Sequence, residues 1–393
     1  MNTGFAAVAR NLIKRWDPHF DVIDIWGINY NGWPVEPPWN TRRIYPAGFQ
    51  GWNSGEKLSM FLNLLSAADY THLWILMDTH QLASGNFPKI FNQVTTQKKI
   101  HTTFYYPVDA MLDKKWMECV AQCDVAVTYT EFGRKETVRV RPGMNPHVIG
   151  HGVDTEVFHP REDRMTLREK KLGGWVQSED FLMVDVNRNE RRKAPQHALQ
   201  ILAELRKRRV RAKLIMHCPN VNPIEGTSLE AIGEQLGLPV GEHWCHNDDF
   251  FVHLNPQMTE DGLNELYNEA DLVLSTSTGE GWGFSLTDGL AAGCAVVAPE
   301  HTSCLEIADT VLRLDLTAPF RTLPLSSNCV VNALDSSRVR WPVDVLQSAS
   351  VIQGLYEHWK DGELQRYVMS DAMKDWLSWD RLAQAFLELM LKK

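Results

Sequence analysis

The chain has 393 residues, of which 44% are hydrophobic and 23% are charged, and its net charge is −9. These proportions are typical of folded globular proteins and exclude disordered, collagenous and fibrous chains. The sequence holds no apolar run of the roughly 18 to 20 residues that a membrane helix needs, and its start lacks the pattern of a signal peptide. At about 150 residues per domain, the length predicts two domains of similar size. Because neither a membrane helix nor a signal peptide is recognised, we expect a cytoplasmic protein, and peripheral contact with a membrane stays open.

Short β-branched runs alternate with amphipathic segments, a pattern typical of parallel α/β units. The first half of the chain predicts strands at 20–27, 72–78, 99–106, 124–130 and 147–152. The second half predicts strands at 181–188, 212–218, 271–277 and 294–299. Apolar spacing predicts helices at 5–16, 194–208, 260–270 and 378–393. The segment 152–175 mixes glycine, proline and charges, so we expect it to cross between two doubly wound domains.

The start of the chain departs from such a domain, which begins with a central strand before its glycine loop and first helix. Here Gly4 and the helix at 5–16 come first. The first strand is therefore expected to be missing, either because the natural start lies upstream or because the sheet closes in another way.

The cysteines and histidines give little sign of a metal or a disulfide. The seven cysteines are scattered with no Cys-x-x-Cys pair, which favours reduced thiols over a disulfide framework. His243, Cys245 and His246 come closest to a metal signature. Neighbouring residues of an extended segment point to opposite faces, and no second ligand cluster completes a tetrahedral site, so we predict no metal there.

Positive charge is concentrated between Glu131 and Lys213, where 19 Lys or Arg stand against 12 Asp or Glu. A basic stretch in an acidic protein suggests a bound anion. The alternative is that residues such as Arg206 and Lys207 are solvated at a helix end, where they favour the negative end of the helix dipole.

The most informative segment is 275–299, in which a predicted strand ends in small polar residues and a glycine-rich loop precedes a helix. Glu280 lies in the loop, and Asp288 lies eight positions later on the helix. Loops at the carboxyl ends of parallel strands bind ligands in open α/β sheets. Glycines allow close ligand approach, and a helix N-terminus suits a phosphate. The two carboxylates suggest recognition of hydroxyl groups.

This segment closely resembles the acidic motif of retaining glycosyltransferases of the GT-B fold, in particular glycosyltransferase family four. The family motif has two glutamates separated by seven residues. Glu280 and Asp288 occupy these positions here, and the aspartate is one methylene shorter. The resemblance implies that Glu280 faces the hydroxyls of the donor sugar and that Asp288 contacts the ribose of the nucleotide. It implies further donor contacts by Gly4, Gly281, Trp282, Gly283, Phe284 and Ser285.

Arg188 and Lys193 resemble a second family feature, an arginine and a lysine five positions apart at a strand end. The resemblance implies that both bind the donor diphosphate. A guanidinium fork and an ammonium point charge are suited to a pyrophosphate leaving group. Weaker matches extend over nearly the whole chain, and the segment 148–160 looks like the family's interdomain signature.

The first domain supplies candidates for the acceptor side. Asp109 follows a segment that resembles a strand end in some family members, and we expect it to face the cleft. His80 and His101 lie near predicted strand ends and are candidates to orient the acceptor or the donor sugar. For each histidine the alternative is a structural residue.

For the chain as a whole, the resemblance implies an α/β GT-B fold with two Rossmann-like, doubly wound domains that face each other across a cleft. We expect the domains at 1–160 and 176–365, and helices at 366–393 that pack back on the first domain. The implied activity is that of a retaining glycosyltransferase, a hexosyltransferase in the simplest case. Its donor is a nucleotide-diphosphate sugar, a substrate rather than a cofactor, and it uses no metal. The expected acceptor is a saccharide or a lipid-linked saccharide.

Other functions stay open. A viral-type enzyme that glucosylates hydroxymethylated DNA in the host cytoplasm needs basic residues for the phosphates and aromatic residues, such as Trp33 and Trp52, for a flipped base. A GT-B-fold epimerase or hydrolase binds the same donors, as does a catalytically inactive nucleotide-sugar-binding module. A nicotinamide dehydrogenase is disfavoured because no Gly-x-Gly-x-x-Gly follows a predicted strand.

Overall fold

The computed structural model of the chain describes residues 4–28, 30–32, 43–48, 55–83, 85–221, 228–246, 258–332 and 338–392. Trp33 and Trp52 lie outside these residues. Within the described ranges, no helix is both long enough and apolar enough to cross a membrane. The seven cysteines form no disulfide.

The first domain contains, in chain order, α1 (Gly4–Trp16), β1 (Ile25–Ile28), β2 (Ile44–Gly48), α2 (Gly55–Ala67), β3 (His72–Leu76), α3 (Phe87–Lys98), β4 (His101–Tyr106), β5 (Val125–Thr128), α4 (Glu131–Val140) and β6 (His147–Val148). The last four strands form a parallel sheet in the order β3-β4-β5-β6, and β1 and β2 form a separate parallel pair. Tyr105 packs in one hydrophobic cluster, and Phe104 and Tyr106 pack in another. Both faces of β4 are therefore covered, as is usual for a parallel sheet.

The second domain contains, in chain order, α5 (Arg164–Leu172), β7 (Phe181–Val186), α6 (Pro195–Lys207), β8 (Ala212–His217), α7 (Leu229–Gln235), β9 (Trp244–His246), α8 (Glu260–Glu269), β10 (Leu272–Leu274), α9 (Phe284–Ala291), β11 (Ala295–Pro299), α10 (Thr302–Leu314), β12 (Phe320–Leu323), β13 (Val330–Asn332), β14 (Arg338–Arg340) and α11 (Val345–Lys360). Six strands form a parallel sheet in the order β12-β11-β10-β7-β8-β9. β13 and β14 form a separate antiparallel hairpin.

The chain ends with α12 (Asp371–Trp376) and α13 (Trp379–Met390). The indole N–H of Trp16 in α1 donates a hydrogen bond to the carbonyl of Ala383 in α13, at 3.1 Å. The rings of Trp16 and Phe386 lie 5.6 Å apart. The C-terminal helix therefore returns to the first domain, and the predicted α/β architecture of two doubly wound domains is confirmed.

Each of the nine predicted strands corresponds to a strand of the structure, and the four predicted helices correspond to α1, α6, α8 and α13. The strands that the sequence did not predict are β2, β9, β12, β13 and β14. Proline at position 46 weakens the strand signal of β2. The others have three or four residues, too few for a clear alternating pattern.

Candidate functional site

Two loops meet at the carboxyl ends of β7 and β10, where open parallel sheets bind ligands. The loop after β7 holds Arg192 and Lys193, and the glycine-rich loop after β10 holds Glu280. The backbone N–H of Thr278 donates to the carbonyl of Arg192 at 2.7 Å, and the hydroxyl of Ser277 donates to the same carbonyl at 3.2 Å. These hydrogen bonds hold the two loops together and place both basic side chains beside Glu280.

Glu280 is the charged centre of this site. Its Oε1 lies 2.5 Å from Nζ of Lys193, and its Oε2 lies 3.1 Å from Nη1 of Arg192. Only 8% of the Glu280 side chain is exposed. Burial alone would raise the pKa of Glu280, but Lys193 and Arg192 lower that pKa to about 2. Glu280 is therefore ionised at neutral pH and can only accept hydrogen bonds.

Arg192 also links the two domains. Its Nε lies 3.1 Å from Oδ2 of Asp109, which follows β4 in the first domain. Asp109 accepts a second guanidinium contact from Nη1 of Arg338 at 2.8 Å, and its backbone carbonyl accepts from Nη1 of Arg340 at 3.0 Å. Burial alone would raise the pKa of Asp109, but the three guanidinium groups hold that pKa below its ordinary value. Asp109 is therefore an ionised carboxylate at the domain interface.

Two other buried carboxyl groups, those of Asp185 and Asp288, have pKa values that are raised rather than lowered. Asp185, near the end of β7, accepts a hydrogen bond from the amide of Asn187, and burial raises its pKa to about 7. Asp288, in α9, is 7% exposed, and burial, followed by the charge of Glu260, raises its pKa well above its ordinary value. A neutral carboxyl group can donate a hydrogen bond as well as accept one. The pKa values of the two acids of the sequence motif, Glu280 and Asp288, are thus shifted in opposite directions.

The first residues of α1 and α9 meet at the domain interface. A Cβ added to Gly4, at the start of α1, would lie 3.1 Å from the ring of Phe284, the first residue of α9. Gly283, just before α9, has a φ of 108°, which glycine adopts without the strain that other residues suffer. The ring of Phe284 stacks on His151, with centroids 4.9 Å apart. Two helix N-termini therefore lie close together, an arrangement that favours a nearby anion.

The remaining predicted donor residues lie around this junction. Trp282 is buried and contacts Gly150, where an added Cβ would lie 2.5 Å from its ring. Gly281 lies against Pro107 of the first domain. Ser285 is half-buried in the first turn of α9. Trp282 and Gly281 thus pack against the first domain, whereas Ser285 retains some exposure.

Arg188 lies apart from the glutamate cluster. Its side chain is 75% exposed, and its Nη1 pairs with Glu190 at 2.9 Å. In this structure Lys193, rather than Arg188, makes the direct contact with Glu280.

The two predicted histidines lie at opposite ends of the first sheet. His80 is exposed just after β3, with its ring 5.9 Å from that of Trp116. His101 begins β4, and its Nδ1 lies 3.8 Å from Asp124. His101 therefore lies at the edge of the sheet opposite Asp109, because the amino ends of parallel strands lie at that edge.

The segment considered for a metal lies in and beside β9. The ring of His246 lies 2.9 Å from Glu230, which is a histidine–carboxylate contact. In the part of the chain that the structure describes, no group of three or more His, Cys, Asp or Glu is placed to hold a metal ion.

Sequence reasoning did not select Arg192, Asp185, Arg338 or Arg340. Arg192 stands in a run of three basic residues, Arg191 to Lys193. The spacing of five positions from Arg188 pointed only to Lys193. An acid near the carboxyl end of a buried strand was the available signal for Asp185. The alternation of Arg338 and Arg340, which places them on one face of a strand, was the signal for that pair.

Comparison with known proteins gives one relative in sequence and many in structure. No protein-family model matches the chain. EpsD of Bacillus subtilis (strain 168), whose assignment as a glycosyltransferase is itself provisional, is 24% identical over 208 residues. The match covers 52% of this chain and 48% of EpsD, so it spans about half the length of this relative.

Several solved structures cover nearly the whole chain. Sucrose-phosphate synthase from Thermosynechococcus elongatus superimposes with a TM-score of 0.72 at 14% identity, over 98% of this chain and 92% of that one. A glycosyltransferase from Rickettsia africae superimposes with a TM-score of 0.69 at 12% identity, over 100% of this chain and 96% of that one. Anabaena HepE was solved in complex with UDP and glucose. It superimposes with a TM-score of 0.62 at 12% identity, over 99% of this chain and 92% of that one. At these identities the likeness shows the fold, which is GT-B.

Proposed function

We propose that this protein is a retaining glycosyltransferase, which moves a sugar from a nucleotide-diphosphate donor to a hydroxyl group of an acceptor. The observation that carries the proposal is the buried contact of Glu280 with Lys193 and Arg192 at the carboxyl ends of β7 and β10. Two cations and a carboxylate meet there, at the edge where open parallel sheets bind ligands. HepE, which is similar in fold, was solved in complex with UDP and glucose. The provisional assignment of EpsD as a glycosyltransferase and the structural similarity to sucrose-phosphate synthase support the same class of reaction.

In this proposal the donor binds to the second domain, close to the first residues of α1 and α9. Lys193 binds the diphosphate, and the exposed Arg188 turns from Glu190 to the same group. Glu280, ionised, accepts hydrogen bonds from hydroxyls of the donor sugar. Asp288, neutral, exchanges hydrogen bonds with the nucleotide ribose. The N-termini near Gly4 and Phe284 stabilise phosphate oxygens.

The chemical step breaks the bond between the anomeric carbon and the diphosphate oxygen. The acceptor oxygen bonds to the same face of that carbon, and its proton passes to a phosphate oxygen of the leaving group. Negative charge grows on the diphosphate as the bond breaks, so Lys193 and Arg188 stabilise the transition state more than the bound substrate. In this scheme the two side chains supply the positive charge that a divalent metal supplies in other enzymes.

The acceptor is proposed to be a saccharide or a lipid-linked saccharide. The nucleic-acid alternative gains little support from the basic stretch, because many of its residues are engaged in ion pairs. Arg139 pairs with Glu136 at 2.7 Å, and Arg168 pairs with Asp271 at the same distance. Charges compensated in this way offer less to a phosphate backbone than a continuous basic surface does.

A thermal-shift panel of nucleoside diphosphates and their sugars tests the donor half of the proposal. A ligand that binds only the folded state stabilises it by about 2.7 kcal/mol at a concentration of about 100 times Kd. We expect a rise in Tm with one nucleoside diphosphate, a loss of that rise in Lys193→Ala, and its retention in the exposed control Lys207→Ala. A panel without any shift would contradict the proposal. Turnover that releases free sugar without glycosylating any acceptor would favour a hydrolase, and interconversion of the sugar would favour an epimerase.

A further inference from the structure

The start of α10 holds the backbone of Glu280 on both sides. The backbone N–H of Glu280 donates a hydrogen bond to the hydroxyl of Thr302, the first residue of α10, at 3.1 Å. The hydroxyl of Ser303, which is fully buried, donates to the backbone carbonyl of Glu280 at 3.0 Å and to that of Trp282 at 2.6 Å. Two consecutive side chains of one helix start therefore bind both backbone polar groups of Glu280.

His301, just before α10, extends these contacts by one further side chain. Its Nε2 lies 2.8 Å from the backbone carbonyl of Ser277, and its Nδ1 lies 3.1 Å from the Thr302 hydroxyl. A carbonyl only accepts hydrogen bonds, so Nε2 carries the proton. Burial lowers the pKa of His301, which favours the neutral ring and leaves Nδ1 as an acceptor. The Thr302 hydroxyl thus donates to His301 while it accepts from the N–H of Glu280.

Thr302 adopts a backbone conformation that its own side chain disfavours. Its φ is 47°, in the left-handed region, which β-branched residues rarely occupy. Such a conformation costs free energy of folding, persists only where its surroundings hold it, and is found most often at functional sites. Glycine would adopt this φ without strain, but it has no hydroxyl to bind the N–H of Glu280. The strain at Thr302 therefore accompanies a hydrogen bond to the glycine-rich loop.

The composition of the glycine-rich loop explains why such support is needed. Gly279 and Gly281 flank Glu280, and Gly283 follows two positions later. Glycine leaves the backbone more conformational freedom than any other residue does. The contact with Lys193 fixes the carboxylate end of Glu280 but not its backbone. The position of the loop is therefore set from outside it, by the start of α10.

We propose that Thr302 is a positioning residue for Glu280, and that His301 orients the Thr302 hydroxyl for this role. The backbone of Glu280 is then held so that its carboxylate faces the hydroxyls of the donor sugar. This inference rests on the proposed function, in which Glu280 accepts hydrogen bonds from those hydroxyls. Because a displacement of about 1 Å in an active site can cost about a hundredfold in rate, a hydrogen bond to the backbone of Glu280 has consequences for the chemistry.

Two substitutions at Thr302 separate its hydroxyl from its backbone strain. Thr302→Val keeps the β-branching, and with it the strain, but removes the hydroxyl, whereas Thr302→Ser keeps the hydroxyl. Calorimetry measures the Kd of UDP, which has no sugar, and of UDP-glucose. UDP is the first probe because HepE, which is similar in fold, was solved with UDP and glucose. If the thermal-shift panel selects another base, the ADP or GDP pair replaces it.

Thr302→Val should weaken the binding of UDP-glucose at least about tenfold and leave the Kd of UDP within about threefold of wild type. A hydrogen bond to a charged group is worth about tenfold or more in affinity, and Glu280 contacts only the sugar. Thr302→Ser should bind both probes within about threefold of wild type. His301→Phe, which removes the acceptor for the Thr302 proton, should also weaken UDP-glucose selectively, and an unchanged affinity would count against the role of His301.

Thr302→Gly gives a readout that a purely structural role would not produce. It relieves the strain, so its Tm should be no lower than that of Thr302→Val, while its affinity for UDP-glucose should be equally weak. Thr317→Val is the matched control, because Thr317 is exposed beyond the end of α10 and its hydroxyl donates to Asp315 at 2.6 Å. The control should leave both affinities within about twofold of wild type.

Either of two results would overturn the inference. One is that Thr302→Val binds UDP-glucose as tightly as wild type does. The other is that Thr302→Val loses affinity for UDP and UDP-glucose by the same factor, which would make Thr302 a structural residue of the site. Failure of the proposed function gives a different result, because wild type then binds no nucleoside diphosphate or nucleotide sugar of the panel, and this inference fails with it.

Discussion

The contact of Lys193 with Glu280 allows a sharp test of how the site is held together. Both side chains are largely buried, with 13% and 8% exposed, and the two charged atoms lie 2.5 Å apart. Lys193→Met removes the cation and keeps most of the side-chain volume. Removing one partner of a buried ion pair costs about 3 to 5 kcal/mol, because the other charge is left uncompensated. Arg192 still lies 3.1 Å from Glu280, so we expect a loss of about 3 kcal/mol, the lower end of that range.

The measurement is a double-mutant cycle by urea unfolding, with Lys193→Met, Glu280→Gln and the double variant. The double variant should recover part of the loss, because it removes the uncompensated charge as well. Lys207→Met is the matched control: this lysine is 75% exposed and lies 3.5 Å from Glu204. We expect the control to change the free energy of unfolding by less than about 0.5 kcal/mol.

The same variants report on the proposed chemistry. If Lys193 stabilises the leaving diphosphate, Lys193→Met lowers kcat by about a hundredfold or more, the effect of removing one preorganised donor. Two results together would refute the reasoning: a loss of stability no larger than that of the control, and turnover within a fewfold of wild type. A large loss of stability with normal turnover would leave the pair a purely structural role.

Four further predictions follow from individual residues. Burial raises the pKa of Asp185 to about 7, so the folded state holds this proton more tightly than the unfolded state. The free energy of unfolding therefore falls as the pH rises toward 7. Between about pH 5 and pH 8, urea unfolding should show that wild type loses about 3 kcal/mol more of this free energy than Asp185→Asn does. Asp288→Glu should keep or improve donor affinity by calorimetry while Glu280→Gln cripples transfer; the reverse pattern would mean that the two acids have exchanged roles. Activity should survive EDTA, and complete loss restored by manganese or magnesium would contradict the metal-free scheme. The carboxylate of Glu306 in the second domain accepts hydrogen bonds from the first two backbone N–H groups of α4, at 2.8 and 3.1 Å. Glu306→Gln should therefore lower the free energy of unfolding, measured with urea, by about 1 kcal/mol, and an unchanged free energy would show that this contact between domains adds no stability.

Much of the fold could be predicted because buried parallel strands are short apolar runs with few alternatives. The segment 181–188 is an example, since its core Phe181–Val186 forms β7 at the centre of the second sheet. The hairpin of β13 and β14 could not be predicted in this way. Its strands have three residues each, and its position depends on contacts with Asp109, which lies more than 200 residues away along the chain.

The site shows the same division between local and distant information. Glu280 and Lys193 could be selected because each lies at a fixed spacing within a local motif, and the structure brings them together. Arg192 is adjacent to Lys193 and chemically similar to Arg188, so composition alone could not show which arginine turns inward. The turn at Ala194, which has a φ of 49°, lies between the short helix of 191–193 and α6. This turn fixes the directions in which the side chains of Arg192 and Lys193 point. His101 differs from these residues, because it begins β4 and so lies at the edge of the sheet opposite Asp109.

The two acids of the glycine-loop motif show how environment, rather than residue type, sets chemistry. Glu280 is as deeply buried as Asp288, and burial raises the pKa of both. Lys193 and Arg192 reverse that effect at Glu280, whereas the charge of Glu260 adds to it at Asp288. Ionised Glu280 therefore offers only acceptors, whereas the environment of Asp288 favours the protonated form, which can donate a hydrogen bond as well as accept one. The missing methylene of Asp288 consequently affects its reach toward a ligand, while its protonation state follows from where α9 places it.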